Sequence, residues 1–125
     1  MIEDDPVIQD VLQLIFAEEG WQMVGATDGP AGLDRAREHE PSVVILDMNV
    51  PLLPGELVAQ ELHLLYSGIP ILVVTANAQI QDDARRARAF GYVKKPFTLN
   101  ALITAVNAGF TRRREVSTRA LQEFA

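Results

Sequence analysis

The chain has 125 residues, 48% of them hydrophobic and 22% charged, the balance of a single soluble domain with a real core. Its net charge of -6 and pI near 4.8 argue against a nucleic-acid-binding surface, which would be basic. With no cysteine, disulfides, thiolate zinc sites and cysteine nucleophiles are excluded.

The first apolar residues, Met1 and Ile2, are followed by the acidic trio Glu3-Asp4-Asp5. Pro6 to Glu19 has apolar residues at Val7, Ile8, Val11, Leu12 and Ile15, the spacing of one helix face. Asp5 is a candidate N-cap, Pro6 suits the first turn, and Gly20 is a candidate stop. Gln22 to Ala26 reads as a short strand. Asp28-Gly29-Pro30 opens a second helix to about His39, closed by Pro41. Val43 to Asp47 reads as a buried strand, with a Pro- and Gly-containing loop after it. Gly55 to Tyr66 is predicted helical and is broken by Ser67-Gly68. Ile71 to Val74 is a second continuous apolar run ending at Thr75.

Gln79 to Phe90 is predicted as a polar helix, Tyr92 to Lys94 as a short strand, and Lys95-Pro96-Phe97 as a turn. Thr98 is a candidate N-cap for a helix through Leu99, Leu102, Ile103 and Val106, with Gly109 as its candidate end. Residues 111–125 carry four bases against two acids and read as a basic tail or linker, either helical or disordered. Neither His39 nor His63 is assigned a role. No apolar stretch approaches a membrane span and the acidic start is not a signal peptide, so a cytoplasmic protein is expected.

Alternating β and α segments with uninterrupted apolar strands predict an α/β fold, a parallel sheet covered on both faces. In such sheets the carboxyl ends of the strands face the ligand crevice. Glu3-Asp4-Asp5, Asp47, Thr75 and Lys95 all follow strand ends, so they are expected at one edge. Each has an ordinary reading: acidic trios sit at helix starts, a strand-end Asp or Thr caps a turn, and Lys-Pro is a common loop pair. Together they offer clustered carboxylates, a hydroxyl and an ammonium. Oxygen-only ligands suit a hard ion such as Mg²⁺. Asp47 could then attack a phosphoryl group, with Thr75 and Lys95 stabilising its oxygens.

These motifs resemble the receiver domain of two-component response regulators: Glu3-Asp4-Asp5-Pro6, Asp47 with Pro51 and Gly55, Val73-Val74-Thr75-Ala76, and Tyr92-Val93-Lys94-Lys95-Pro96-Phe97. The resemblance covers residues 1–110. It implies a doubly wound, flavodoxin-like fold with a five-stranded parallel sheet in the order 2-1-3-4-5 and five helices. It implies Asp47 as phosphoacceptor from a sensor histidine kinase or phosphotransfer protein. The implied metal set is Glu3, Asp4, Asp47 and the Asn49 backbone carbonyl around Mg²⁺, with Asp5 left as a helix cap. Thr75 and Tyr92 are the implied switch residues, Lys95 pairs with a phosphoryl oxygen, and the Lys95-Pro96 peptide is expected to be cis. The implied output is a downstream protein, or a second copy of the chain, docking on the face of the fourth helix, fifth strand and fifth helix. Direct nucleic-acid binding, membrane association and enzymatic turnover beyond self-phosphotransfer and autodephosphorylation are not expected. The 15 residues after Phe110 are too few for an output domain.

Two departures carry expectations. With only Met1 and Ile2 ahead of Glu3, the first strand should leave backbone groups unpaired and core volume unfilled. The segment from Thr75 to Lys95 is shorter than the family pattern, with Arg88 where a helix-ending glycine is usual, so the fourth helix should be short or irregular. Asn49 and Asn77, two residues beyond Asp47 and Thr75, are small enough to leave a hydrolytic water its path, which predicts a phosphorylated state that decays unaided. A receiver-like interaction module with an impaired metal site is the alternative function. A Mg²⁺-dependent aspartyl phosphatase fits less well, because it would carry a second acid where Asn49 stands.

Overall fold

In the computed structural model the backbone is described for residues 1–124 and the side chains for residues 1–115. The helices are α1 (Pro6–Glu18), α2 (Gly29–His39), α3 (Gly55–Leu65), α4 (Ile80–Arg86) and α5 (Leu99–Phe124), and the strands are β1 (Val44–Leu46), β2 (Ile71–Thr75) and β3 (Gly91–Lys94). The strands pair in parallel in the order β1-β2-β3, with Ile45 opposite Leu72 and Val74 opposite Val93. Two parallel single-residue bridges, Ile2 to Leu46 and Ile2 to Ala26, continue the sheet on the far side of β1. Counting those two rungs as strands gives the order 2-1-3-4-5 expected from the sequence. The segment 22–26 forms no longer strand than its rung at Ala26.

Alternation along β2 explains why its apolar run is unbroken. Ile71 and Val73 pack with Leu33, Val58, Leu62, Ile80 and Ala84 on the side of α2, α3 and α4. Leu72 and Val74 pack with Leu12, Phe16, Leu102 and Val106 on the side of α1 and α5. A strand with helices on both faces has no solvent side to keep polar.

The caps follow the sequence. Asp5 Oδ1 accepts from the Val7 amide at 2.9 Å, Asp28 Oδ1 from the Ala31 amide at 2.7 Å, and Thr98 Oγ1 from the Ala101 amide at 3.2 Å. Gly20 follows α1 with φ 82°, a left-handed conformation open to glycine.

Three expectations are corrected. First, the helix predicted over Gln79 to Phe90 spans only Ile80–Arg86, short as the departure from the family pattern leads one to expect. Arg88 takes the left-handed conformation (φ 50°) that a glycine would supply, and the Ala89 amide reaches back to the Ala84 carbonyl at 2.9 Å. Second, Gly109 does not end a helix, because α5 runs through it to Phe124, carrying the basic segment with it. A Cβ at Gly109 would lie 2.8 Å from Phe90 Cζ and 3.0 Å from Val43 Cγ1, so this glycine serves close packing rather than termination. Gly109→Val should therefore cost about 1–3 kcal/mol in urea denaturation despite removing a helix-weakening glycine; a neutral or stabilising result would count against the packing role.

Third, the brief first strand is itself paired on both sides, although it does not reach the Ile45 amide of β1. The Met1 amine donates to the Val24 carbonyl at 2.8 Å, and the Ala26 amide donates to Met1 O at 3.0 Å. The Ile2 amide donates to Ile45 O at 2.8 Å, the Asp47 amide to Ile2 O at 3.0 Å, and the Glu3 amide to Ala26 O at 3.0 Å. A cavity of about 360 Å³ lies beside Met1, lined among others by Phe16, Trp21, Met23, Val43 and Phe110.

Candidate functional site

Parallel strands put their carboxyl ends at one edge, and four chemical groups arrive there together. Glu3 follows the Ile2 rung, Asp47 follows β1, Thr75 ends β2 and Lys95 follows β3. Glu3, Asp47 and Thr75 are buried, the only polar or charged residues so placed among the described residues. Lys95 Nζ donates to Glu3 Oε1 at 2.8 Å, Glu3 Oε2 at 3.0 Å and Asp47 Oδ2 at 2.9 Å. The Lys95-Pro96 peptide is cis. Asp4 is exposed at the rim, and one carboxylate oxygen each from Glu3, Asp4 and Asp47 lie within 4.8 Å of one another.

One ammonium between two buried carboxylates leaves excess negative charge, and Glu3 takes the consequence. Burial, followed by its hydrogen bond with Asp47, pushes the Glu3 carboxyl up to about 7. Burial alone would raise Asp47 as well. Hydrogen bonds from Glu3, from the Asn49 amide (2.9 Å to Oδ1) and from Lys95 outweigh it and hold Asp47 below the usual carboxylate range. For Lys95, burial would lower the ammonium, but its hydrogen bonds to Glu3 and Asp47 prevail and raise it. Asp47 is thus anionic and Lys95 cationic at neutral pH, while Glu3 is the member that exchanges a proton there.

Above this trio two loops are joined. Asn49 Nδ2 donates to Asn77 Oδ1 at 2.9 Å and to Thr75 Oγ1 at 3.3 Å, and Asn77 Nδ2 donates back to Asn49 Oδ1 at 3.3 Å. The Asn77 amide also donates to Thr75 Oγ1 at 3.3 Å. Asn77 Nδ2 further donates to Asp83 Oδ2 on α4 at 3.0 Å. Asn49 and Asn77 therefore meet across the mouth instead of flanking an open path.

Sequence reasoning missed Asp83 and Gln9. Gln9 Nε2, on α1, donates to the carbonyls of Glu3 at 2.7 Å and Ala26 at 2.6 Å, pinning the segment that carries Glu3. Neither residue has a local sequence signal, since each is one polar residue on a helix. Tyr92 is not drawn into the site: its side chain is on the surface, 44% exposed. His63 Nε2 lies 2.9 Å from the Ala87 carbonyl, joining α3 to the end of α4.

The sequence and the fold both have known relatives. The chain is 36% identical to the transcriptional regulatory protein PdtaR of Mycobacterium tuberculosis over 118 residues, 92% of this chain and 57% of that protein. It is 32% identical to the probable transcriptional regulatory protein TcrX of the same organism over 120 residues, 94% of this chain and 51% of that protein. The chain spans about half the length of these curated relatives. Among solved structures it matches a CheY-like response regulator receiver domain protein from Methanospirillum hungatei with TM-score 0.84 and 22% identity, covering 91% of this chain and 93% of that one. It also matches response regulator TrrA from Thermotoga maritima, solved in complex with Mg²⁺-BeF, with TM-score 0.78 and 28% identity, covering 86% of this chain and 94% of that one. No helix among the described residues is long and apolar enough to cross a membrane. The model of the response regulator receiver domain matches residues 1–107, and the chain belongs to that family.

Proposed function

We propose that Asp47 is the phosphoacceptor of this receiver domain, taking a phosphoryl group from a phosphohistidine of a sensor kinase or phosphotransfer protein. The observation that carries the reading is the Lys95 ammonium held between buried Glu3 and anionic Asp47, with Asp4 beside them. An Asp47 carboxylate oxygen attacks phosphorus, an O–P bond forms, the N–P bond to imidazole breaks, and the imidazole nitrogen keeps the electron pair. Lys95, already on Asp47, remains within reach of a phosphoryl oxygen. Thr75 Oγ1 accepts from two donors here, so its own proton is free to turn toward an anion.

The donor set fits Mg²⁺: three oxygen ligands of a hard type gathered around a pocket of surplus negative charge. Glu3, Asp4, Asp47 and the Asn49 backbone carbonyl would hold it, and the ion would supply charge neutralisation for the transferring group. The added phosphoryl brings about -1.5 to -2 charges, and a biased two-state equilibrium is the expected response, with Tyr92 turning inward as the face of α4, β3 and α5 changes partner preference. The downstream partner is a protein, and a second copy of the chain is one candidate for it.

Incubation with acetyl phosphate and Mg²⁺ tests the assignment. Stoichiometric labelling is expected for the wild-type protein and none for Asp47→Asn; equal labelling of both would place the phosphoryl group elsewhere. Unlabelled wild-type protein would favour the phosphorylation-independent interaction module, and rapid turnover of small phosphoesters a phosphatase.

A further inference from the structure

We infer that Asp83 is a positioning residue: through Asn77 it holds Asn49 and Thr75 in the resting arrangement and so ties α4 to the state of Asp47. The inference rests on Asp47 being the phosphoacceptor and concerns how that site is coupled to the rest of the fold.

The connection is continuous and made of side chains. Asp83 Oδ2 accepts from Asn77 Nδ2 at 3.0 Å, and Asn77 Oδ1 accepts from Asn49 Nδ2 at 2.9 Å. Thr75 Oγ1 accepts from Asn49 Nδ2 and from the Asn77 amide, both at 3.3 Å. Two strong links thus end in two contacts near the outer limit of hydrogen-bond distance. Asp83 lies in the first turn of a seven-residue helix whose inward residues are Ile80 and Ala84. The core contacts of Ile80 and Ala84 seat this short helix against β2, and the charge-assisted bond at Asp83 adds a polar tie to the loop after β2.

Turning the Thr75 proton toward a group on Asp47 leaves the two 3.3 Å contacts in place, but drawing the hydroxyl itself closer to that group strains them, since both are already near the outer limit of hydrogen-bond distance. The bracket therefore belongs to the resting arrangement and opposes the engaged one. Two consequences follow from linkage. Cutting the bracket at Asp83 makes engagement of Asp47 easier, and it removes the path by which engagement is felt at α4. A residue needed only for stability would do neither; its loss would weaken ligand binding or leave it unchanged.

Fluoroberyllate with Mg²⁺, a phosphoryl mimic, is the probe, followed by amide resonances in wild type, Asp83→Ala and Asp83→Asn. In the wild type, resonances of Asn49, of Ala84 in α4 and of Ala87 at its C-cap are expected to shift together. In Asp83→Ala the apparent affinity read at Asn49 should rise by about tenfold, the scale of one lost hydrogen bond to a charged acceptor, while the shifts at Ala84 and Ala87 shrink. Asp83→Asn keeps an acceptor oxygen and should return both readouts most of the way. Asp83→Ala titrating like the wild type with intact α4 shifts, or binding more weakly, would overturn the coupling. So would Asp83→Asn behaving like Asp83→Ala. A wild-type protein silent to fluoroberyllate at every resonance overturns the phosphoacceptor reading and the coupling with it, an outcome distinct from failure of the variant alone.

Discussion

Lys95→Met is expected to destabilise the protein by about 3–5 kcal/mol at pH 8, the cost of removing the cation from a buried ion cluster. Lys95 Nζ is the shared partner of Glu3 and Asp47, which are almost wholly enclosed. Without it two carboxylates face each other in low dielectric. The loss should be smaller at pH 5, where Glu3 is protonated, because its carboxyl is pushed up to about 7. Millimolar Mg²⁺ should restore part of the stability at pH 8 if the three carboxylates hold the ion as proposed. Urea denaturation at both pH values, with and without Mg²⁺, reads all of these. A loss independent of pH and metal would mean that Lys95 acts through its aliphatic packing and not its charge.

The same shift sets the pH dependence of the unsubstituted, metal-free protein. Glu3 has a folded value raised above its unfolded value of 4.5, so its contribution is full below 4.5 and is lost as pH rises through about 7. That loss is about 3 kcal/mol at most. The Met1 amine acts in the opposite direction: burial lowers it from 8.0 to about 6, so stability is recovered as pH rises from 6 to 8. The two offset one another between pH 6 and 7, and the net fall should be clearest between pH 4.5 and 6. In Glu3→Gln the fall should vanish and the rise from 6 to 8 should remain.

The site was legible in the sequence because its members stand at strand ends. The runs Val43 to Leu46 and Ile71 to Val74 announce buried strands, and parallel pairing then obliges Asp47, Thr75 and Lys95 to share an edge whatever the helices do. What was not legible depends on neighbours distant in sequence. Gly109 reads as a stop because local pattern does not distinguish a glycine that ends a helix from one that admits Phe90 and Val43. Arg88, by contrast, stands where the family pattern sets a helix-ending glycine and adopts the φ of 50° that position needs, with the Ala89-to-Ala84 hydrogen bond closing the turn. The bracket from Asn49 to Asp83 joins two loops and a helix, and one-dimensional spacing carries no information about such a closure. Asn49 and Asn77 were therefore recognisable as site residues, but their bond to each other was not.

A three-residue apolar extension placed ahead of Met1 should raise the unfolding midpoint above that of a polar extension of the same length. The reason lies in the shape of the cavity behind the first strand. Its walls include Phe16, Trp21, Met23, Val43 and Phe110 as well as Arg35, His39 and Glu40, and it begins where the Met1 amine meets Val24 O. The Val44 amide donates to Pro70 O on the β2 side, so strand alternation turns the next amide, that of Ile45, toward the opening. A chain continuing upstream would run parallel to β1, meet that amide, and direct successive side chains to opposite faces of the sheet. Two newly buried aliphatic side chains are worth about 3–5 kcal/mol before ordering costs. An extension of Gly-Ser-Gly is the control, since it too converts the buried amine to an amide and relieves the burial that lowers Met1 to about 6. The apolar extension should exceed the control in thermal midpoint and should abolish the rise in stability between pH 6 and 8, whereas the control should abolish only the latter. Equal midpoints for the two would mean that the cavity stays open and that the amine, not the missing core, is what the short strand costs.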